Sequence, residues 1–248
     1  LILKLLSLPQ QILPAPGGSR YARCVTLARL SIPLVLLALA VSVSAQDSVT
    51  WILDDPQRVG GHRTEIVGAP KAIDTPLGKA IYFDGVDDAI YVPEHPLAGA
   101  ATFTWEAIFR PDGGAAEQRW FHLAEQDEQG NDTGNRMLYE IRVAGGDWYL
   151  DSFVASKTGS KALLNRDHLH PVGRWYHVAT VYDGKTLRNY VNGVLEGSAQ
   201  VALAPQGKGR SSIGVRINRV NYFQGVVRMA RFTRRALPVE EFVKFPYE

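Results

Sequence analysis

Apolar residues recur along this chain in short runs separated by Gly, Pro, Asp and Asn. Runs at residues 49–53, 80–83, 89–92, 102–109, 119–124, 136–143 and 148–154 precede a hairpin within 173–193, and further runs follow at 211–215 and 225–233. Many short β-rich segments with turn signals between them predict an all-β fold of two packed antiparallel sheets. The hairpin is the clearest piece. Residues 175–182 are aromatic and β-branched, Asp183-Gly184 supplies a positive-φ turn, and residues 187–191 run back to a second turn at Asn192-Gly193. Its first strand is apolar on both faces, with Trp175, His177, Ala179 and Val181 on one and Tyr176, Val178, Thr180 and Tyr182 on the other. Such a strand belongs inside a sheet, with one face on the core and the other under a covering loop or in a groove. A helical period appears only at residues 238–245. There Pro238 suits a first turn and Val239, Phe242 and Val243 share a face, so a short C-terminal helix is predicted.

The N-terminus follows a different pattern. Arg20, Arg23 and Arg29 precede an apolar run at residues 30–43, and Val43-Ser44-Ala45 has the small residues of a cleavage site. Residues 20–45 therefore read as a secretory signal peptide cut after Ala45, leaving residues 46–248 as one exported domain, periplasmic or extracellular. Residues 1–19 fit neither signal nor domain and read as a misplaced start or a fragment boundary. The single cysteine, Cys24, would leave with the signal, so the exported domain must stand on its core without disulfides. With 27 basic and 25 acidic residues overall, the chain has no excess of positive charge suited to nucleic acid, and no membrane span is expected after cleavage.

Four segments then resemble the laminin G-like jelly rolls of the concanavalin A-like lectin/glucanase superfamily. They are Tyr82-Phe83-Asp84-Gly85-Val86-Asp87-Asp88-Ala89-Ile90-Tyr91-Val92-Pro93, Phe103-Thr104-Trp105-Glu106-Ala107-Ile108-Phe109-Arg110-Pro111, the hairpin from Gly173 to Gly193, and Phe223-Gln224-Gly225-Val226-Val227 with Arg231-Phe232 and Glu241-Phe242. The resemblance implies a two-sheet antiparallel jelly-roll sandwich. It implies no single function, because such folds carry glycan binders, adhesion modules and some enzymes.

Laminarinase-type hydrolases of that superfamily carry Glu-x-Asp-x-x-Glu on one strand. Here Glu125-Gln126-Asp127-Glu128-Gln129-Gly130 begins the motif and puts Gly130 where the acid should stand. The segment is therefore read as a polar loop and the domain as non-catalytic. Asp84, Asp87 and Asp88 crowd around Gly85 and form a candidate calcium site, or else a turn held by carboxylates. Arg228-Met229 replaces the family's usual Asp-Glu pair, and its guanidinium is expected to oppose a cation there. Tyr222 with Asn221, Trp148 and Trp120 are candidate sugar-binding residues, since aromatic faces accept sugar C–H groups while amides take hydroxyls. Trp120 and Trp148 lie in strand runs, where large aromatics ordinarily join the core. The expected ligand is an extracellular or periplasmic glycan. A surface protein bound by an adhesion module is the alternative, and a divergent glycoside hydrolase the third reading.

Overall fold

The computed structural model describes residues 47–246. The signal peptide, its cleavage point and residues 1–19 lie outside the described residues. In chain order the strands are β1 (Ser48–Ile52), β2 (Arg58–Val59), β3 (His62–Arg63), β4 (Glu65–Val67), β5 (Lys71–Ile73), β6 (Ala80–Asp84), β7 (Ala89–Val92), β8 (Phe103–Pro111) and β9 (Glu117–Gln126). They continue with β10 (Asp132–Ala144), β11 (Asp147–Ser156), β12 (Gly159–Leu164), β13 (His170–Pro171), β14 (Tyr176–Tyr182), β15 (Thr186–Val191), β16 (Val194–Gln200), β17 (Gly209–Ile213) and β18 (Gln224–Thr233).

One sheet runs β16-β15-β14-β8-β18-β6-β5, with β1 also on β18; the other runs β12-β11-β10-β9-β17-β7-β4, with β13 on β11. Neighbouring strands pair antiparallel throughout both sheets. The expected jelly-roll sandwich is therefore the fold. Strand β14 lies inside its sheet, between β15 and β8, and every one of its residues is buried. The Asn192-Gly193 turn joins paired Val191 and Val194, and both turn residues have positive φ (49° and 78°), as a two-residue hairpin connection requires. The Asp183 turn is longer. Only Gly184 there takes positive φ, and the Asp183 carboxylate closes the loop by accepting the amides of Lys185 (2.9 Å) and Thr186 (2.8 Å).

The core is aromatic. A register shift in the β9–β10 pairing, between Tyr139↔Phe121 and Glu140↔Arg119, makes Trp120 an extra residue in β9. Trp120 and Phe121 thus both enter the core, while Arg119 is delivered to the outer face. Trp120 stacks between Phe109 of the opposing sheet (centroids 4.2 Å, 6°) and Tyr139 of its own (5.1 Å, 9°).

The helix expected over residues 238–245 shrinks to one 3-10 turn, Val239–Glu241. Pro238 precedes the turn in extended conformation, and Phe242 leaves it extended at φ −62°, ψ 156°. The cause lies in what the segment covers. Leu237 and Phe242 press on Ala179 and Val181, and the Val243 amide donates to Glu106 Oε1 (2.7 Å), which draws the chain straight across the sheet. This strap is the cover that the doubly apolar β14 requires. Beneath it, Glu106 and His177 are wholly buried 3.0 Å apart, and Arg231 closes on the other carboxylate oxygen at 2.5 Å.

Candidate functional site

The second sheet has a different outer face. Along β10, Met137, Tyr139 and Ile141 turn into the core, while Arg136, Leu138, Glu140 and Arg142 line an open groove of about 390 Å³. Across the pairing, β11 adds Asp151 and Phe153 opposite Glu140 and Leu138, and the bulged β9 adds Arg119. From the loop before β18 comes Arg216.

The charges interlock. Arg119 Nε lies 2.9 Å from Glu140, and its other nitrogens reach Glu117 and Asn221 Oδ1. Arg142 reaches Glu117 (2.6 Å), Asp151 (2.9 Å) and, more loosely, Glu140 (3.5 Å). Burial pushes the Asp151 and Glu140 carboxyls above their ordinary values, and the arginines beside them only partly offset it. Burial acts on Glu117 in the same direction, but Arg119 and Arg142 together hold it below the usual carboxylate range. The result is a floor of fixed donors and acceptors beside the apolar surfaces of Leu138, Phe153 and Leu164, suited to a polyhydroxylated ligand.

The residues expected to bind sugar are placed differently from that expectation. Trp120 and Trp148 are fully buried, so neither ring can stack on a ligand arriving from solvent. Trp148 packs against His170 and Tyr176, each 5.0 Å away. Asn221 does reach the groove network, with φ 58°, but its amide is occupied by Arg119 and by the Glu117 carbonyl (3.3 Å). It anchors the loop. Tyr222 is half-buried against the patch of Ala89, Tyr91 and Val215.

Glu125 is 6 % exposed and accepts from the Gly207 amide (2.5 Å), Asn135 (2.9 Å) and Thr133 (3.1 Å). Asp127 caps its own turn through the amides of Gln129 (3.0 Å) and Asn131 (2.8 Å). Both carboxylates organise loops, as the polar-loop reading requires. His168 and His170 converge on Glu196, at 3.9 and 2.8 Å.

The carboxylates of Asp84, Asp87 and Asp88 lie within 4.8 Å of one another. Asp84 Oδ1 accepts the amides of Val86 (2.8 Å), Asp87 (3.3 Å) and Asp88 (3.4 Å), while the two Asp88 oxygens accept those of Ala69 (2.6 Å) and Asp84 (3.1 Å). That leaves Asp84 Oδ2 and the Asp87 oxygens, so a calcium ion here would draw most of its six to eight oxygens from backbone carbonyls and water. The cluster acts as a turn clamp. Arg228 does not oppose it, because a register shift in β18 makes Arg228 the extra residue and sends Nε to the Leu77 carbonyl (2.9 Å), while Gln224 stands across from Asp84. Calcium and a chelator are expected to give the same melting temperature by calorimetry. A calcium-dependent rise would identify the free Asp84 and Asp87 oxygens as ligands.

Sequence reading passed over Arg119, Arg136, Glu140, Arg142, Asp151 and Arg216. The available signal was charge at three of the four outward positions of β10 (Arg136, Glu140 and Arg142), alternating with the apolar inward residues Met137, Tyr139 and Ile141. Sequence reading places Trp175 in the buried hairpin strand and not among the candidate binders, but Trp175 lies just before β14 and is, of the five tryptophans, the one not fully buried. Trp175 borders a second groove of about 470 Å³ with Pro76 and Leu77, and the Arg110 guanidinium lies 5.6 Å from its ring centroid.

Two antiparallel sheets with a ligand-sized groove on one outer face define a lectin-like β-sandwich. A family model described as the concanavalin A-like lectin/glucanases superfamily, laminin G-like in type, matches residues 84–242, and the chain belongs to that family. No curated protein matches the sequence. Among solved structures, domain 4 of AbnA, an extracellular arabinanase from Geobacillus stearothermophilus in complex with arabinotriose, is similar at 19% identity and TM-score 0.57, covering 78% of this chain and 94% of that one. The binding domain of Paraclostridial Mosquitocidal Protein 1 is similar at 13% identity and TM-score 0.55, over 79% of this chain and 50% of that one. A Trypanosoma rangeli sialidase with the inhibitor DANA is similar at 12% identity and TM-score 0.52, over 77% of this chain and 31% of that one. At these identities the likeness is one of fold. Among the described residues no helix is long and apolar enough to cross a membrane.

Proposed function

We propose that this protein is an exported, non-catalytic carbohydrate-recognition module whose ligand lies in the groove between β9, β10, β11 and the Arg216 loop. The observation that carries the reading is the interlocked network of Arg119, Glu140, Arg142 and Asp151 at the floor of an open groove, its arginines part-exposed and its two carboxylates buried, on a sheet whose opposite face is fully packed. Fixed, charge-assisted donors and acceptors suit sugar hydroxyls, which need partners already oriented at little entropic cost. The arabinotriose complex of the similar arabinanase domain supports a saccharide as the ligand class. Export rests on the arginine-led apolar stretch before Ala45.

Titration of the purified protein against a polysaccharide panel is expected to find a ligand without release of reducing ends. Glu140→Gln keeps the side-chain volume and removes a charge-assisted acceptor, so affinity should fall about tenfold or more. Trp175→Ala is the contrast and should leave affinity unchanged. Loss of binding in W175A but not in E140Q would move the site to the second groove. Silence across the panel would replace the glycan with a protein partner, and turnover would overturn the non-catalytic reading.

A further inference from the structure

The groove is not electrically uniform. Arg119 and Arg142 are each shared among two or more carboxylates, but neither Arg136 nor Arg216 has an acidic partner among the described residues. Arg136 donates to the Gly134 carbonyl (2.7 Å) and lies over the Phe153 ring at 4.7 Å, yet its Nε is buried with no partner. The backbone at Arg216 is held by its loop. The Arg219 amide donates to the Arg216 carbonyl (2.8 Å), and the next residue, Ile217, donates its amide to His122 Nδ1 (3.0 Å). Burial, and after it the charges of Arg216 and Arg136, hold the His122 imidazole well below its ordinary value, so it stays neutral and able to accept that bond. Burial lowers Arg136 as well, followed by the charge of Arg216, while Glu140 acts the other way without offsetting them. Arg136 and Arg216 thus line the same groove, and neither guanidinium has a carboxylate within salt-bridge distance among the described residues.

We infer that Arg136 and Arg216 form an anion subsite that takes the carboxylate or sulfate of an acidic sugar, the rest of which lies along Arg119, Glu140 and Asp151. This deepens the carbohydrate reading and rests on it. An isolated anionic group fits better than a polyanion. A chain of phosphates would also meet Glu140 and Asp151 in the same groove, whereas a sugar offers hydroxyls there. Guanidinium forks match the planar carboxylate and the oxygens of a sulfate ester, and the Phe153 ring beneath Arg136 keeps its fork oriented.

The test is calorimetric titration of the full protein with oligogalacturonate, with its methyl ester, and with a sulfated galactan oligosaccharide, in wild type, R216Q and R136Q/R216Q. At least one acidic form is expected to bind about tenfold tighter than the ester. That advantage should shrink in R216Q, whose change lies on a surface loop, and vanish in the double variant, while binding of the ester stays the same. Equal affinity for acid and ester, or a preference that survives both substitutions, overturns the subsite. Should no sugar bind at all, inorganic sulfate separates the two ideas. A sulfate-dependent rise in melting temperature, larger in wild type than in the double variant, sustains the anion subsite and sinks the carbohydrate reading. The same rise in both proteins sinks the subsite.

Discussion

Trp120→Ala should unfold at a markedly lower urea concentration than wild type, a loss of about 3–5 kcal/mol, with any ligand affinity of the folded fraction unchanged. Trp120 is fully buried and its ring is sandwiched between Phe109 and Tyr139, so it bridges the two sheets at the centre of the core. Removing it leaves a void that close-packed neighbours fill only in part. Phe109 and Tyr139 belong to different sheets, so any collapse has to shift the sheets together. The same substitution separates the two roles an aromatic in this family can have. A ligand platform would leave stability nearly intact and abolish binding, and that pairing of results would reverse the core assignment.

Glu106→Gln should cost a comparable amount, about 3–5 kcal/mol at neutral pH, because it removes the charge of a fully buried carboxylate from its cluster with buried His177 and part-exposed Arg231. Glu106 Oε1 is shared by His177 (3.0 Å) and the Val243 amide (2.7 Å), and Oε2 takes Arg231 (2.5 Å). Burial pushes the Glu106 carboxyl up, but His177, Arg231 and the Val243 amide outweigh it and hold the group below its ordinary 4.5. A lowered folded-state pKa means that its stabilising contribution is complete above 4.5 and is lost as pH falls through the folded value. The stability gap between wild type and E106Q should therefore be constant near neutrality and narrow under acid. Glu140 and Asp151, whose carboxyls burial raises, change stability in the opposite sense in both proteins and cancel in the difference. Parallel denaturation curves of the two proteins from pH 7 to pH 3 read this directly. A gap that widens under acid would remove the ionised cluster from the account. The strap from Leu237 to Phe242 should loosen in the same variant, seen as faster amide exchange at Val243.

Much of the fold could be read along the chain because strand periodicity is local. The run at residues 175–182 announces a strand, which residues 176–182 form with both faces buried, and Asn192-Gly193 announces its turn through backbone freedom alone. The C-terminal segment was harder. Its apolar spacing fits a helical face, yet the Glu106 carboxylate, far earlier in the chain, draws the Val243 amide into an extended path. The aromatics show the same boundary. Strand position marks Trp120 as a core residue, but only the register shift against β10 explains how Trp120 and Phe121 both turn inward and Arg119 turns out.

Local chemistry therefore determined a great deal: alternating side chains, turn residues and an incomplete carboxylate motif were sufficient for an all-β sandwich without the laminarinase pair. The groove came from elsewhere. Arg119, Arg136, Glu140, Asp151 and Arg216 are scattered over nearly a hundred positions, and each alone is an ordinary charged residue. Strand pairing sets Glu140 against Asp151, a bulge turns Arg119 toward them, and the His122–Ile217 bond fixes the loop that carries Arg216. Whether a charge is solvated, paired or left facing another of its own sign depends on what the folded chain places within a few ångströms, since Coulomb interactions act through space and take no account of sequence order.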